Sequence, residues 1–204
     1  MIDLTRDGEL HVVTLRNGEN RIDLDFALGM NDVLDRVLAA SDGPSALVAT
    51  GEGKFFSNGL ALDWLRSASD SDRKRFGAEF ARLTGRLVSA PIPTVAALNG
   101  HAFAAGALFA MAFDFRVMRE ERGWICMPEV DVGVPVSQAA MELLRAKLPA
   151  RSLRDAILTG RRYAADEAIA AASPTSRPPR RSSWLPRNGS RRRWRARSAR
   201  SSRP

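Results

Sequence analysis

Asn99-Gly100-His101-Ala102-Phe103-Ala104-Ala105-Gly106 is the stretch on which fold and chemistry turn, because 23 residues beyond Gly106 stands Glu129, the acid that closes the apolar run Trp124-Ile125-Cys126-Met127-Pro128. A Gly/Ala-rich turn opening a helix leaves backbone N–H groups unpaired and lets a substrate oxygen come close. A carboxylate set among apolar side chains is biased toward proton transfer. Together the two features read as an oxyanion hole facing a single general base, the equipment for moving a proton next to a carbonyl.

Outward from this stretch, apolar periodicity alternates between strands and helices. Leu10 to Leu15 is a β-branched strand pattern ended by Asn17-Gly18. Phe26, Met30, Val33, Leu34, Val37 and Leu38 recur at helical spacing behind a candidate cap, Asp25, and Asp42-Gly43-Pro44 stops them. Ala46 to Thr50 reads as a buried strand, and Gly51 to Gly59 as a loop. A short helical turn is expected over Leu60–Leu65 and a charged helix over about Asp72–Ser89. Pro91 and Pro93 force an extended lead into the strand Thr94–Leu98. Gly106 to Phe113 is apolar all round, hence a buried helix; Phe115–Met118 and Trp124–Met127 read as strands; Ser137–Leu148 is amphipathic, with Pro149 as its stop. The alternation predicts an α/β layered core.

Composition first points elsewhere. The net charge of +8 and a pI near 11.0 suggest a nucleic-acid or membrane-surface partner. Residues 173–204, however, hold 11 Arg, 8 Ser and 5 Pro without any acid, which leaves 20 basic against 23 acidic residues in 1–172. The body is mildly acidic and long enough for one core, so it is taken as one domain, with 173–204 as a tail. The single cysteine, Cys126, cannot form an internal disulfide and reads as a small buried residue, in keeping with a reducing compartment. Neither a signal peptide nor an apolar run of about 18 residues is present, so the expected location is cytoplasmic, away from membranes.

With loops and acid placed, residues 1–172 resemble the crotonase, or enoyl-CoA hydratase/isomerase, superfamily. Gly53-Lys54-Phe55-Phe56-Ser57-Asn58-Gly59-Leu60-Ala61-Leu62 resembles the family's first oxyanion loop, Pro93 through Gly106 resembles the second, and Leu158-Thr159-Gly160-Arg161 and Ala165-Asp166-Glu167-Ala168 resemble its late landmarks. The resemblance implies a crotonase fold of repeated ββα units, incomplete at the C-terminus. It also implies that the N–H groups of Leu60 and Ala105 meet on the thioester oxygen of an acyl-CoA, with Glu129 as catalytic base. Ser57, Gly59, Ala61, Leu62, Phe103, Gly106, Leu108 and Pro128 would then line the substrate, and Arg21 is a candidate CoA contact. CoA is part of the substrate, so no separate cofactor is expected.

Hydratases of the family use a second glutamate, in the helix after the second loop, where this chain has Leu108. A 3,2-enoyl-CoA isomerase of fatty-acid β-oxidation needs one base only, and the wording around Phe55–Leu60 and Met127–Val136 is similar to plant-type and actinobacterial isomerases. Isomerase is therefore the expected activity; a catalytically impaired family member and an enoyl-CoA hydratase are the alternatives. The chain departs from the family at Ala61, where most members have Asp, and at Ala104 and Ala105, which replace glycines. His101 is expected to be structural, His11 has no partner legible in sequence, and two widely spaced histidines with one cysteine give no metal site. Asp63, Asp114 and Asp131 read as caps or ion pairs.

At Ala171-Ala172 the family pattern stops. If Ala171 to Arg177 are encoded GCG-GCA-TCG-CCG-ACG-TCG-CGG, the neighbouring frame spells Gly-Ile-Ala-Asp-Val-Ala, the family's continuation. A frameshift at this junction is the expected origin of the tail, whose composition predicts disorder. The Arg clusters, with Trp194 for stacking, raise nucleic-acid binding only as a minor alternative. Intact relatives are expected to be homotrimers, in part through the segment this tail replaces.

Overall fold

The computed structural model describes residues 1–172, and the tail expected over 173–204 lies outside the described residues. In chain order the elements are β1 (Ile2–Asp7), β2 (Leu10–Leu15), α1 (Leu24–Ala39), β3 (Ala46–Gly51), β4 (Phe55–Ser57), α2 (Leu62–Ser67), α3 (Asp70–Val88) and β5 (Thr94–Leu98). There follow β6 (His101–Phe103), α4 (Ala105–Met111), β7 (Phe115–Met118), β8 (Ile125–Cys126), α5 (Glu129–Val132), α6 (Gln138–Lys147), α7 (Ala150–Thr159) and α8 (Ala165–Ala172).

Two sheets organise them. The larger has the order β1-β2-β3-β5-β7, with β1 and β2 antiparallel and the other neighbours parallel. The smaller has the order β4-β6-β8 and is parallel throughout. Each parallel strand β3, β5 and β7 hands the chain to one short strand of the small sheet and then to helix, so the repeated ββα unit is visible three times.

Phe26, Met30, Val33, Leu34 and Val37 of α1 share one buried core with Val13 and Leu15 of β2 and with Phe56, Phe109 and Phe113. The alternation His11, Val13, Leu15 puts one face of β2 inward, as a period of two requires. Each fully buried side chain of this size contributes roughly 1.5–3 kcal/mol over its exposed state. Phe109 meets Phe26 edge-on at 5.4 Å and stacks with Phe56 at 5.8 Å, which seats α4 in the centre.

Local corrections to the sequence expectations have simple causes. Asp23, not Asp25, caps α1, accepting from Phe26 N at 2.9 Å; Asp25 sits in the first turn. The charged helix starts at Asp70 behind the cap Ser69, and the short one covers Leu62–Ser67 rather than Leu60–Leu65. The stretches Gly51–Gly59 and Asn99–Gly106 are not loops throughout, since each contains a three-residue strand, β4 and β6. The strand expected over Trp124–Met127 is only Ile125–Cys126.

Candidate active site

Parallel neighbours end on the same side of a sheet, and that fact assembles this site. β4, β6 and β8 run in one direction, so the chain leaving Ser57 towards Leu60, the chain leaving Phe103 towards Ala105 and the chain leaving Cys126 towards Glu129 emerge at one edge. The carboxyl ends of parallel strands are where α/β proteins hold ligands.

The first of these segments is clamped by residues 19–22. Ile22 N donates to Gly59 O at 2.8 Å and Ala61 N donates to Ile22 O at 2.9 Å. Since Gly59 O and Ala61 N–H both face Ile22, the Leu60 N–H between them faces away, and no acceptor for it stands among the described residues. Asn58 N donates to Glu19 O at 2.9 Å, Asn58 Nδ2 donates to Glu19 Oε2 at 3.0 Å, and the buried Asn20 donates to Phe55 O at 3.0 Å. The Asn58 hydrogen bond, with Arg21 beside it, holds the Glu19 carboxyl below its ordinary range. Arg21 pairs with Glu19 at 2.6 Å and donates to Leu60 O at 3.3 Å, so part of the guanidinium expected to meet CoA is already spent within the protein.

The second segment turns sharply at Ala104, whose φ of 49° and ψ of −123° lie where side chains are disfavoured. Its N–H donates to Cys126 O at 3.0 Å and its carbonyl accepts from Leu108 N at 3.0 Å. α4 therefore begins at Ala105, whose N–H belongs to the unpaired first turn. Two glycines interlock the segments. A Cβ on Gly59 (φ +81°) would lie 2.9 Å from Phe103 O and 3.6 Å from Ala105 N, and one on Gly106 would lie 2.7 Å from Ser57 Oγ. Gly59 thus lies close to the backbone of Phe103–Ala105, with no room for a side chain between them. Ser57 is fully buried, and its Oγ accepts from Gly59 N at 3.3 Å.

Glu129 opens α5 directly after Pro128, whose carbonyl accepts from Asp131 N and Val132 N. Its Oε2 is buried without a hydrogen-bond partner, and burial pushes the carboxyl above its ordinary range. A carboxylate with a buried, unpartnered oxygen is destabilised as an anion and is correspondingly ready to take a proton; here that burial outweighs the opposing backbone hydrogen bond at Glu129. α4 supplies no second acid: its residues are Ala105, Gly106, Ala107, Leu108, Phe109, Ala110 and Met111, with Leu108 half-buried.

The remaining sequence candidates have these surroundings. Ala61 is the N-cap of α2 and offers no side-chain acceptor, while Leu62 is the first residue of that helix and is exposed. Phe103 packs its ring against His101 and Phe55. His101 is buried among Phe55, Phe103 and Trp124, where burial and the cations Lys54, Arg122 and Arg162 hold its pKa down. Burial pushes the Cys126 thiol up to about 11, so it is no nucleophile at neutral pH. Asp114 accepts from Thr94 N and Oγ1 at 2.9 Å, and Asp63 pairs with Arg66 at 3.0 Å. Among the described residues no three His, Cys, Asp or Glu side chains gather as a metal site, and no helix is long and apolar enough to cross a membrane. The clamp of Glu19, Asn20 and Asn58 was not foreseen, because its partners lie tens of residues apart in sequence.

Comparison with known proteins places the chain in a family. Residues 5–172 match the enoyl-CoA hydratase/isomerase family. Enoyl-CoA delta isomerase 3 of Arabidopsis thaliana is 37% identical over 175 residues, which is 83% of this chain and 74% of that protein. The peroxisomal enoyl-CoA delta isomerase 2 of the same plant is 35% identical over 176 residues, covering 83% and 73%. The crystal structure of an enoyl-CoA hydratase from Mycobacterium ulcerans superposes with a TM-score of 0.77 at 28% identity, over 84% of this chain and 74% of that one. The matched residues span both sheets and the helices around them, and the chain belongs to the enoyl-CoA hydratase/isomerase family, with the crotonase fold.

Proposed function

We propose that the chain moves the double bond of a 3-enoyl-CoA to the 2-position, as a step of fatty-acid β-oxidation, with Glu129 as its only base. The carboxylate takes a proton from C2. The electrons pass into a dienolate whose oxygen accepts from the Leu60 and Ala105 N–H groups, and the protonated Glu129 returns the proton at C4. No net proton or electron is exchanged with solvent, so the reaction needs no cofactor beyond the CoA carried by the substrate. Gly59, Ser57 and Gly106 act by letting the loops touch, and Phe103, Ala61, Leu62, Leu108 and Pro128 by bounding the acyl group. Arg21 has donors left for CoA on the outer side of the first loop. A homotrimer in the cytoplasm is the assembly and place this reading carries.

The observation that carries it is the buried, unpartnered Oε2 of Glu129, in a chain whose α4 holds no acid. Hydration requires a water held between two carboxylates, and Leu108 offers none. The test is conversion of 3-hexenoyl-CoA to the conjugated 2-enoyl product by the 204-residue chain, alongside Glu129→Gln. Loss of the base is expected to cost about 10²–10⁴-fold. Equal rates in the two proteins, or none in the unaltered chain, would refute the proposal.

A further inference from the structure

The proposed chemistry makes no use of a polar cluster behind β8. Gly160 to Tyr163, between α7 and α8, lies antiparallel to β8: Ile125 N donates to Tyr163 O and Tyr163 N to Ile125 O, each at 3.0 Å. The Cys126 thiol donates to Gly160 O at 3.3 Å. Tyr163 is buried, and its hydroxyl donates to Asp155 Oδ2 on α7 at 2.6 Å. Arg161 pairs with the same carboxylate at 3.7 Å and with Glu167 of α8 at 2.8 Å, while Arg162 lies over the rings of Phe103 and Trp124.

β8 is too short to hold itself. It makes register pairs with β6 only through Ile125 and Cys126, and a pairing of that length has little stability of its own. The segment 160–163 supplies the second side of the grip, and its own anchor on α7 is the short, charge-assisted bond from Tyr163 to Asp155. From Ile125 the chain passes through Met127 and the stiff Pro128 to Glu129, so the placement of β8 sets where the carboxylate enters the site. We propose that Tyr163 is a positioning residue for Glu129, holding through Asp155 the strap that fixes β8. The proposal rests on Glu129 being the general base.

Tyr163→Phe keeps the ring and the backbone bridge and deletes only the hydroxyl; Asp155→Asn keeps the shape of the acceptor and removes its charge. In the full chain, the titration of the Glu129 carboxyl carbon is followed by NMR, assigned by its loss in Glu129→Gln, together with kcat, KM and the melting temperature. Asp131 and Arg162, which with Glu129 act electrostatically on Cys126 of this strand, stay unchanged in both variants. A loosened α5 admits water, so the Glu129 titration is expected to move down towards the ordinary carboxylate range in Tyr163→Phe. kcat is expected to fall about three- to tenfold with KM nearly unchanged, since misplacement of a reacting group acts on the chemical step. The double variant is expected to be no worse than the poorer single one, the mark of one shared interaction. A Tyr163→Phe protein with an unmoved Glu129 titration overturns the proposal, even if it melts earlier, because the hydroxyl then only stabilises. An unaltered chain without isomerase activity would refute the reaction, while the NMR titration would still decide the role of Tyr163.

Discussion

The N–H of Ala104 donates to the carbonyl of Cys126 at 3.0 Å, which joins the turn before α4 to the strand that leads to Glu129. The proposed oxyanion donor and the proposed base therefore both follow strands of one hydrogen-bonded unit, β6 and β8, and a displacement of either strand moves both. The bond also helps to fix Ala104 in a backbone conformation that a residue with a Cβ occupies at a cost, with α4 holding it from the other end.

That cost predicts a stabilising substitution. Ala104→Gly removes strain of order 1–3 kcal/mol and loses about 0.4–1 kcal/mol through the greater freedom of glycine in the unfolded chain. A net gain of about 1 kcal/mol is expected, seen as a higher urea midpoint at unchanged slope, with isomerase activity retained. An unchanged midpoint would show that Ala104 is not strained.

Gly59→Ala should act on activity. Its φ of +81° disfavours a side chain, and the new methyl would press on the Phe103 carbonyl, which is backbone and cannot swing aside. The loops would separate, and with them the Leu60 and Ala105 N–H groups proposed to hold the substrate oxygen. A fall in kcat/KM of about 10²-fold is expected, in line with a misplacement near 1 Å. Wild-type kinetics in this variant would mean that the two loops do not act together.

Much of this was legible in the sequence, for a physical reason in each case. α1 shows its period because one face, from Phe26 to Val37, is buried in a continuous core. Glu129 stands out because a lone acid beside an apolar run must be paired or functional, and its Oε2 is unpaired. β4 and β6 escaped because three residues give no measurable alternation, and their pairing of Phe55 with His101 is non-local. Asp25 and Asp23 are equally good caps on paper; only the backbone at Asp23, extended before the first turn, distinguishes them. The Tyr163–Asp155 bond joins residues eight apart across a helix end, a spacing that no local rule marks.

Glu129 links activity and stability to pH with opposite consequences. Burial raises its pKa in the folded chain above the unfolded value, so the folded state holds that proton more tightly. Folding is unaffected by this group below the unfolded value and is progressively penalised as pH rises through the folded value. Glu129→Gln, which cannot ionise, is therefore expected to be more stable than the unaltered chain at neutral pH, with the difference vanishing below the ordinary carboxylate range. Urea midpoints across the acid and neutral range check this. In the active protein, the acidic limb of kcat/KM should lie above the ordinary glutamate range, since the base must be ionised; a limb at or below that range would contradict a desolvated base.

Ala61 marks the remaining departure. It stands at the N-cap of α2 without a side-chain acceptor, so the first N–H groups of that helix depend on water. Ala61→Asp would supply a carboxylate to the first turn, where the helix dipole also favours negative charge. A gain of about 0.5–2 kcal/mol is expected in the urea midpoint. Because Ala61 N also donates to Ile22 O, a firmer start to α2 steadies the segment that presents the Leu60 N–H. KM for the acyl-CoA should accordingly stay the same or fall; a rise would show that the alanine is needed to leave room for the substrate.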